Sequence, residues 1–258
     1  MKKNDTYILV ISWWGARGAY ALGILKALEE LWWRDRIEAV YGVSIWAIVW
    51  AYWTAGRKAE DIFHRIIEAD FLSLRHIELI PKESLFSSQV IKDTLSKDLP
   101  PTFEALEKKL FVGTTDAWKA EYVLYNTGSL LEPLLWSMAI PWVFPGVPYQ
   151  DRFLIDGWSI NNFPVNLVKK HYANRKIMWI ALNTFREKQD LTNVFNNILV
   201  SFEILLRRDI VRYRRIADIL FYNTIHLNVL DNNKEKLHEA FEQWYRDAVK
   251  KLTNPKIK

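Results

Sequence analysis

The sequence predicts a single α/β domain with a mainly parallel central sheet covered on both faces, and three observations carry that prediction. Short β-branched apolar runs alternate along the chain with stretches of helical period. Of the 258 residues, 50% are apolar and 25% charged, the mix of a chain that buries a sizeable core. No repeat, low-complexity tract or Pro/Gly/Ser-rich linker breaks the pattern, so residues 1–258 read as one domain.

Taken in order, YILVIS at Tyr7–Ser12 reads as a buried strand. Residues 19–31 follow as a helix, with Leu22, Leu25, Leu28 and Leu31 at successive i+3 steps. Residues 39–43 form a second short strand, and residues 45–55 an apolar helix behind it. Further strands are expected at 111–115, 122–126, 152–155 and 177–182, with a helix at 130–138 between them. Beyond Leu182 the pattern is helical, with helices expected at 203–221 and 234–252 within a C-terminal part running from about 190 to 252.

Composition narrows the chemistry. The chain has no cysteine, which removes thiol catalysis, thiolate metal sites and disulfides. The five histidines (His64, His76, His171, His226 and His238) are scattered in polar contexts, and no His or carboxylate cluster has ligand spacing, so neither a metal nor a cofactor is expected. A net charge of +5 is a mild basic bias, too small and too motif-poor to suggest nucleic acid. The longest apolar stretch, at 45–53, is nine residues, and no targeting segment is visible. The expectation is a cytoplasmic protein or one peripheral to a membrane.

Three segments carry candidate chemistry. YGVSIW, at 41–46, places Ser44 between a strand and a helix, where a sharp turn exposes a serine hydroxyl as a nucleophile. Half of the G-x-S-x-G pattern is present, at Gly42, and a serine that simply caps the helix is the competing reading. SWWGARGAYALGILKALEEL, at 12–31, is a strand, tight loop and helix of the kind that presents backbone N–H groups to an anion. It matches neither the dinucleotide nor the phosphate-loop pattern, and an oxyanion-binding loop fits better beside an acyl-transfer nucleophile. FLIDGWSINNFPV, at 153–165, ends a strand at Asp156 and turns at Gly157. That carboxylate could serve as a general base, or the pair could be an ordinary Asp-Gly turn.

By their order along the chain (12–31, 41–46, 153–165) and their spacing, these segments jointly resemble the patatin-like phospholipase family, over about residues 7–182. They are similar, respectively, to its G-G-G-x-R-G oxyanion loop, its G-x-S-x-G elbow and its D-G-[GA] motif; SMAIPWVFP at 137–145 and NNFPV at 161–165 add to the likeness. The resemblance implies a three-layer α/β/α patatin-like fold and hydrolysis of acyl esters in phospholipids or related lipids. It also implies a Ser–Asp dyad without histidine or cofactor, in which Ser44 forms an acyl-enzyme and Asp156 is the base. The oxyanion loop would comprise Trp13, Trp14, Gly15, Ala16, Arg17 and Gly18, with Gly42 and Trp46 completing the elbow and Gly157 and Trp158 the dyad loop. A Ser–His–Asp triad using His171 or His226 is the rival within hydrolases, although the elbow comes early for it.

The family pattern has eight glycines in these motifs. Four are glycine here, and the other four are all tryptophan: Trp13, Trp14, Trp46 and Trp158. At 13 tryptophans in 258 residues, four such coincidences have a chance of roughly one in 10^5 against composition. Glycine, at 9, stands at about half the usual ~7%, and the two residue types together make an ordinary glycine content. Trp32, Trp33, Trp118 and Trp142 also occupy glycine-like places. These tryptophans read as glycines of a gene whose UGA codons were decoded under the wrong table. The alternative is a lipid-binding relative that has lost the reaction.

RRDIVRYRR, at 207–215, sets Arg207, Arg208, Arg212, Arg214 and Arg215 on a helix with apolar neighbours. Such a face can lie on anionic headgroups, or can be a solvated face over the core.

Overall fold

The computed structural model describes residues 5–12, 18–69, 89–141, 144–161, 164–181, 210–222 and 233–254, together with residues 197, 200 and 204. Among the described residues, eight strands form one sheet: β1 (Tyr7–Ser12), β2 (Ile37–Val43), β3 (Lys109–Asp116), β4 (Glu121–Tyr125), β5 (Val147–Tyr149), β6 (Arg152–Asp156), β7 (Lys176–Ala181) and β8 (Ile219–Tyr222). Their order is β5-β6-β3-β2-β1-β7-β8, with β4 paired to β3 off that path. From β3 through β2, β1 and β7 to β8 every pairing is parallel, as the alternation of strands and helices predicts. The β4, β5 and β6 pairings are antiparallel.

Side-chain alternation divides the sheet into two apolar faces. Leu9, Ile11, Val40, Val112, Met178 and Ile180 face one core. The helices packed there are α1 (Gly18–Glu30), α2 (Ile45–Thr54), α3 (Ala59–Ala69), α4 (Gln89–Asp98) and α5 (Leu131–Ser137), with the C-terminal helix outside α1. Ile8, Val10, Ala39, Tyr41, Phe111 and Trp179 face the other core, against Val165 and Val168. Those two belong to α7 (Val165–His171), which follows the single turn α6 (Trp158–Asn161). The result is the expected layering of helices on both sides of the sheet.

The C-terminal helix, α8 (Lys234–Thr253), is an amphipathic element whose apolar side carries Leu237, Phe241, Trp244, Ala248 and Leu252. Asn233 caps its start by accepting the Lys236 N–H at 3.0 Å. It lies along α1, with Tyr20 meeting Trp244 edge-on at 5.3 Å.

One predicted element is corrected. The helix expected over 203–221 does not run to its end: a 3-10 turn at Arg214–Ile216 precedes β8, which pairs in parallel with β7. Ile219 and Phe221 are buried while Leu220 and Tyr222 are more open, a period of two that the arginine-rich stretch before them obscures.

Helix α1 ends in a feature bearing on the tryptophans. The Trp33 N–H donates to the Leu28 carbonyl at 2.8 Å, and the Trp32 N–H to Glu29 at 3.2 Å. This is the Schellman arrangement, with Trp32 at the position glycine usually holds. Trp32 is left-handed, with φ 59°, and its side chain is 79% exposed.

Candidate active site

The meeting of two strand ends builds the site. β3 bonds β2 through residues 109–113 and β6 through residues 114–116, while β4 occupies its opposite edge. β2 and β6 therefore share one edge of β3, end to end and running towards each other. The last β2 pair is Val43 with Gly113, and the next residue of β3, Thr114, pairs with Asp156. Ser44, the first residue beyond β2, is thereby delivered to Asp156, the last of β6.

Ser44 turns the chain from β2 into α2 with φ 64° and ψ −151°, a conformation nearly reserved for glycine, which costs about 1–3 kcal/mol. Its side chain makes no capping hydrogen bond to the helix, so the simple helix-cap reading does not hold. The residue is 1% exposed, and its hydroxyl is buried without a hydrogen-bond partner.

Asp156 is completely buried. Its Oδ1 accepts the Trp158 N–H at 3.1 Å, and its Oδ2 is buried without a hydrogen-bond partner. Burial holds the carboxyl well above its ordinary value of 3.8; the Ser44 hydroxyl and the Trp158 N–H pull in the other direction. The hydroxyl and the carboxyl are thus close neighbours that have not closed a well-formed hydrogen bond.

Gly157 explains the Asp-Gly order. A Cβ there would lie 2.5 Å from the Gly113 carbonyl oxygen, so only glycine lets the loop pass this close to β3. At Gly18, the first residue of α1, the Trp46 ring fills the space a Cβ would need. The start of α1 and the elbow helix are therefore in direct contact. Trp13, Trp14, Gly15, Ala16 and Arg17 lie outside the described residues.

The tryptophans need a correction. Glycine at such motif positions commonly serves left-handed backbone or close approach, where a tryptophan would carry a strain cost. Trp46 and Trp158 lie in α2 and α6 with negative φ, so backbone strain is not the objection there. Trp46 instead buries its indole N–H without a partner, as do Trp50 and Trp244. Each such group costs about 1–3 kcal/mol. Among the described residues, the left-handed tryptophan is Trp32, outside the motifs.

His171 does not reach Ser44. Its Nδ1 is 2.8 Å from the Tyr41 hydroxyl, on the α7 side of the sheet, whereas the elbow helix packs on the other side. His64 and His238 are exposed on α3 and α8, and His76 and His226 lie outside the described residues. No group of three His, Cys, Asp or Glu residues among the described residues could hold a metal. Arg212, Arg214 and Arg215 are exposed; Arg207 and Arg208 lie outside the described residues. No helix among the described residues is long and apolar enough to cross a membrane.

Two features escaped the sequence. Ser137, at the end of α5, is completely buried and accepts the Ser44 N–H at 2.8 Å. A cavity of about 280 Å3 is walled by Leu135, Trp136, Met138, Phe144, Pro145 and Val147, with Lys92 and Glu132 also lining it; Trp136 and Met138 flank Ser137 in the chain. SMAIPWVFP contributes Ser137, Met138, Phe144 and Pro145 of these, but spacing alone does not assign them roles.

Residues 15–169 match the family described as patatin-like phospholipase. The chain is 29% identical over 194 residues to neuropathy target esterase sws of Drosophila melanogaster, covering 72% of this chain and 13% of that protein. With the Drosophila grimshawi protein of the same name it shares 31% over 165 residues, 60% of this chain and 11% of the relative. It therefore spans only a small part of the length of these relatives. Among solved structures, VipD from Legionella pneumophila superposes with a TM-score of 0.53 at 14% identity, over 95% of this chain and 66% of that one, a likeness of fold.

Proposed function

The chain belongs to the patatin-like phospholipase family, and on that premise we propose that it is a lipid acyl hydrolase working through a Ser44–Asp156 dyad. The observation that carries this reading is the abutment of β2 and β6 on one edge of β3, which sets a strained serine beside a buried carboxyl. Asp156 takes the Ser44 proton as Oγ attacks the ester carbonyl; burial makes it a stronger base than an ordinary aspartate. The same proton then passes to the departing alcohol, leaving an acyl-enzyme. Asp156 next removes a proton from water, which attacks the acyl carbonyl, and returns that proton to Ser44 as the acid leaves. Backbone N–H groups near Trp14, Gly15 and Ala16 hold the oxyanion with Arg17 beside them, as family resemblance implies, and the start of α2 adds its dipole. The cavity lined by Trp136 and Met138, the chain neighbours of Ser137, takes part of the acyl chain.

One observation favours a second reading. Ser44 is 1% exposed, so an ester carbonyl reaches it only if neighbouring groups give way. If the tryptophans at motif positions are genuine, the chain is a lipid-binding relative without turnover. Hydrolysis of a short-chain chromogenic ester, then of phospholipid vesicles, separates the two. The chain as written is assayed beside a version with all 13 tryptophans changed to glycine, each with a Ser44→Ala control. Turnover by the glycine version alone, stopped by Ser44→Ala, supports both the hydrolase and the decoding reading. Folded but inactive proteins in both cases favour lipid binding. Loss of turnover in His171→Ala or His226→Ala, with folding kept, would replace the dyad by a triad.

A further inference from the structure

Where β2 leaves β3, the parallel ladder is cut short: Val43 pairs with Gly113, and Ser44 swings away at φ 64°. The cut leaves two backbone groups facing a gap, the Ser44 N–H and the Gly113 carbonyl. The Ser137 hydroxyl fills it. It accepts from the Ser44 N–H at 2.8 Å and donates its single proton to the Gly113 oxygen at 2.7 Å. A neutral hydroxyl matches this pair of demands, because it is a donor and an acceptor at one atom.

The same short segment also holds the base. Two residues on, the Ala139 carbonyl accepts the Asp156 N–H at 3.0 Å. The Gly113 carbonyl that receives the Ser137 proton is the group against which Gly157 is packed. Residues 137–139 therefore grip the backbone of the nucleophile with a side chain and that of the base with a carbonyl. Neither grip touches the reacting oxygens.

We propose that Ser137 is a positioning residue that fixes the separation and aim of Ser44 relative to Asp156, with residues 137–139 acting as a clasp across the two strand ends. The proposal rests on the dyad reading above and concerns how that dyad is held. Without the hydroxyl, the Ser44 N–H loses its partner at the point where its backbone is most strained, and Oγ drifts from its line of attack. Displacements of this kind cost about 10²-fold in rate without weakening substrate binding.

The test compares Ser137→Ala, Ser137→Thr, Ser44→Ala and Leu237→Ala with the parent that shows turnover. Leu237 is a buried residue of α8, away from the clasp, and serves as the control for loss of stability alone. Two readouts are taken: ester kinetics, and the rate at which a fluorophosphonate labels Ser44. The expected result for Ser137→Ala is a kcat about 10²-fold lower with KM unchanged, and labelling slowed by a similar factor. Ser137→Thr, which keeps the hydroxyl, recovers most of the labelling rate, and Leu237→Ala keeps its kcat while unfolding at a lower temperature. The proposal is overturned if Ser137→Ala labels and turns over like its parent while Ser44→Ala is inactive, or if Leu237→Ala loses as much kcat as Ser137→Ala. A parent in which neither ester nor probe reacts overturns the hydrolase reading itself, and the clasp with it.

Discussion

Exchanging Trp32 for alanine and for glycine isolates the physics of one left-handed residue. Trp32 ends α1 with φ 59° and exposes 79% of its surface, so its indole contributes little burial. Removing that indole to give Trp32→Ala takes away the side chain and leaves the backbone conformation in place. The further step to Trp32→Gly removes the Cβ, whose clash in left-handed backbone costs roughly 1–2 kcal/mol. Against this stands the greater freedom glycine gives the unfolded chain, about 0.5–1 kcal/mol. The glycine variant is therefore expected to be the more stable of the two by about 0.5–1 kcal/mol, or ~2 °C in Tm for a domain of this size. At an ordinary helical position the same alanine-to-glycine exchange has the opposite sign, which makes the comparison a test of sign as well as of size. Urea unfolding of both variants, with equal m values, gives the difference directly. A glycine variant less stable than the alanine variant would refute the left-handed assignment of residue 32 and remove the physical reason for preferring glycine there.

The gene should carry UGA at the codons for Trp13, Trp14, Trp46 and Trp158; sequencing that returns UGG at these positions disposes of the decoding explanation. Because burial raises the Asp156 carboxyl, kcat/KM should fall with acid through a pH well above 3.8, the ordinary value, and a rate flat down to pH 4 would contradict a base in that environment. The same shift has a stability consequence. Between the unfolded and folded values the native state holds a proton that the unfolded chain has released, so stability declines as pH rises through that window. Asp156→Asn should thus be inactive yet more stable than its parent at neutral pH, with the gap closing below about pH 4, and urea unfolding at the two pH values checks it. Charge reversal at Arg212, Arg214 and Arg215 should weaken sedimentation with anionic vesicles by at least ~1 kcal/mol per residue, with unchanged binding assigning these exposed arginines to solvent alone.

The parts of the fold legible in the sequence are those with a strong local period. β1, α1, β2, α2 and α8 announce themselves by β-branched runs or i+3 and i+4 spacing, and Ser44, Asp156 and Gly157 stand where strand ends and turn residues place them. β5 and α6 have three and four residues, too few to show a period. The sequence reading assigns no helix over 59–69 or 89–98, where α3 and α4 form beside more polar stretches. β8 is hidden by the basic run before it, which extends a helical pattern past its true end. Ser137 is illegible for a different reason: its importance lies in filling a gap between two strands, and nothing in the spacing of SMAIPWVFP reveals that gap. The end-to-end meeting of β2 and β6 is likewise a property of pairing, visible only once the register along β3 is known.

That meeting also sets when Ser44 and Asp156 can come together as the chain forms. Ser44 and Asp156 lie 112 positions apart, and no hydrogen-bonded ladder runs directly between their strands. A nascent chain can complete β1, α1 and β2 from near neighbours, but the edge of β3 stays half empty until residues 152–156 have emerged and folded back against it. On the dyad reading, hydrolytic competence waits for one of the late, long-range events of folding, and a shortened chain ending before β6 would hold the serine without its base.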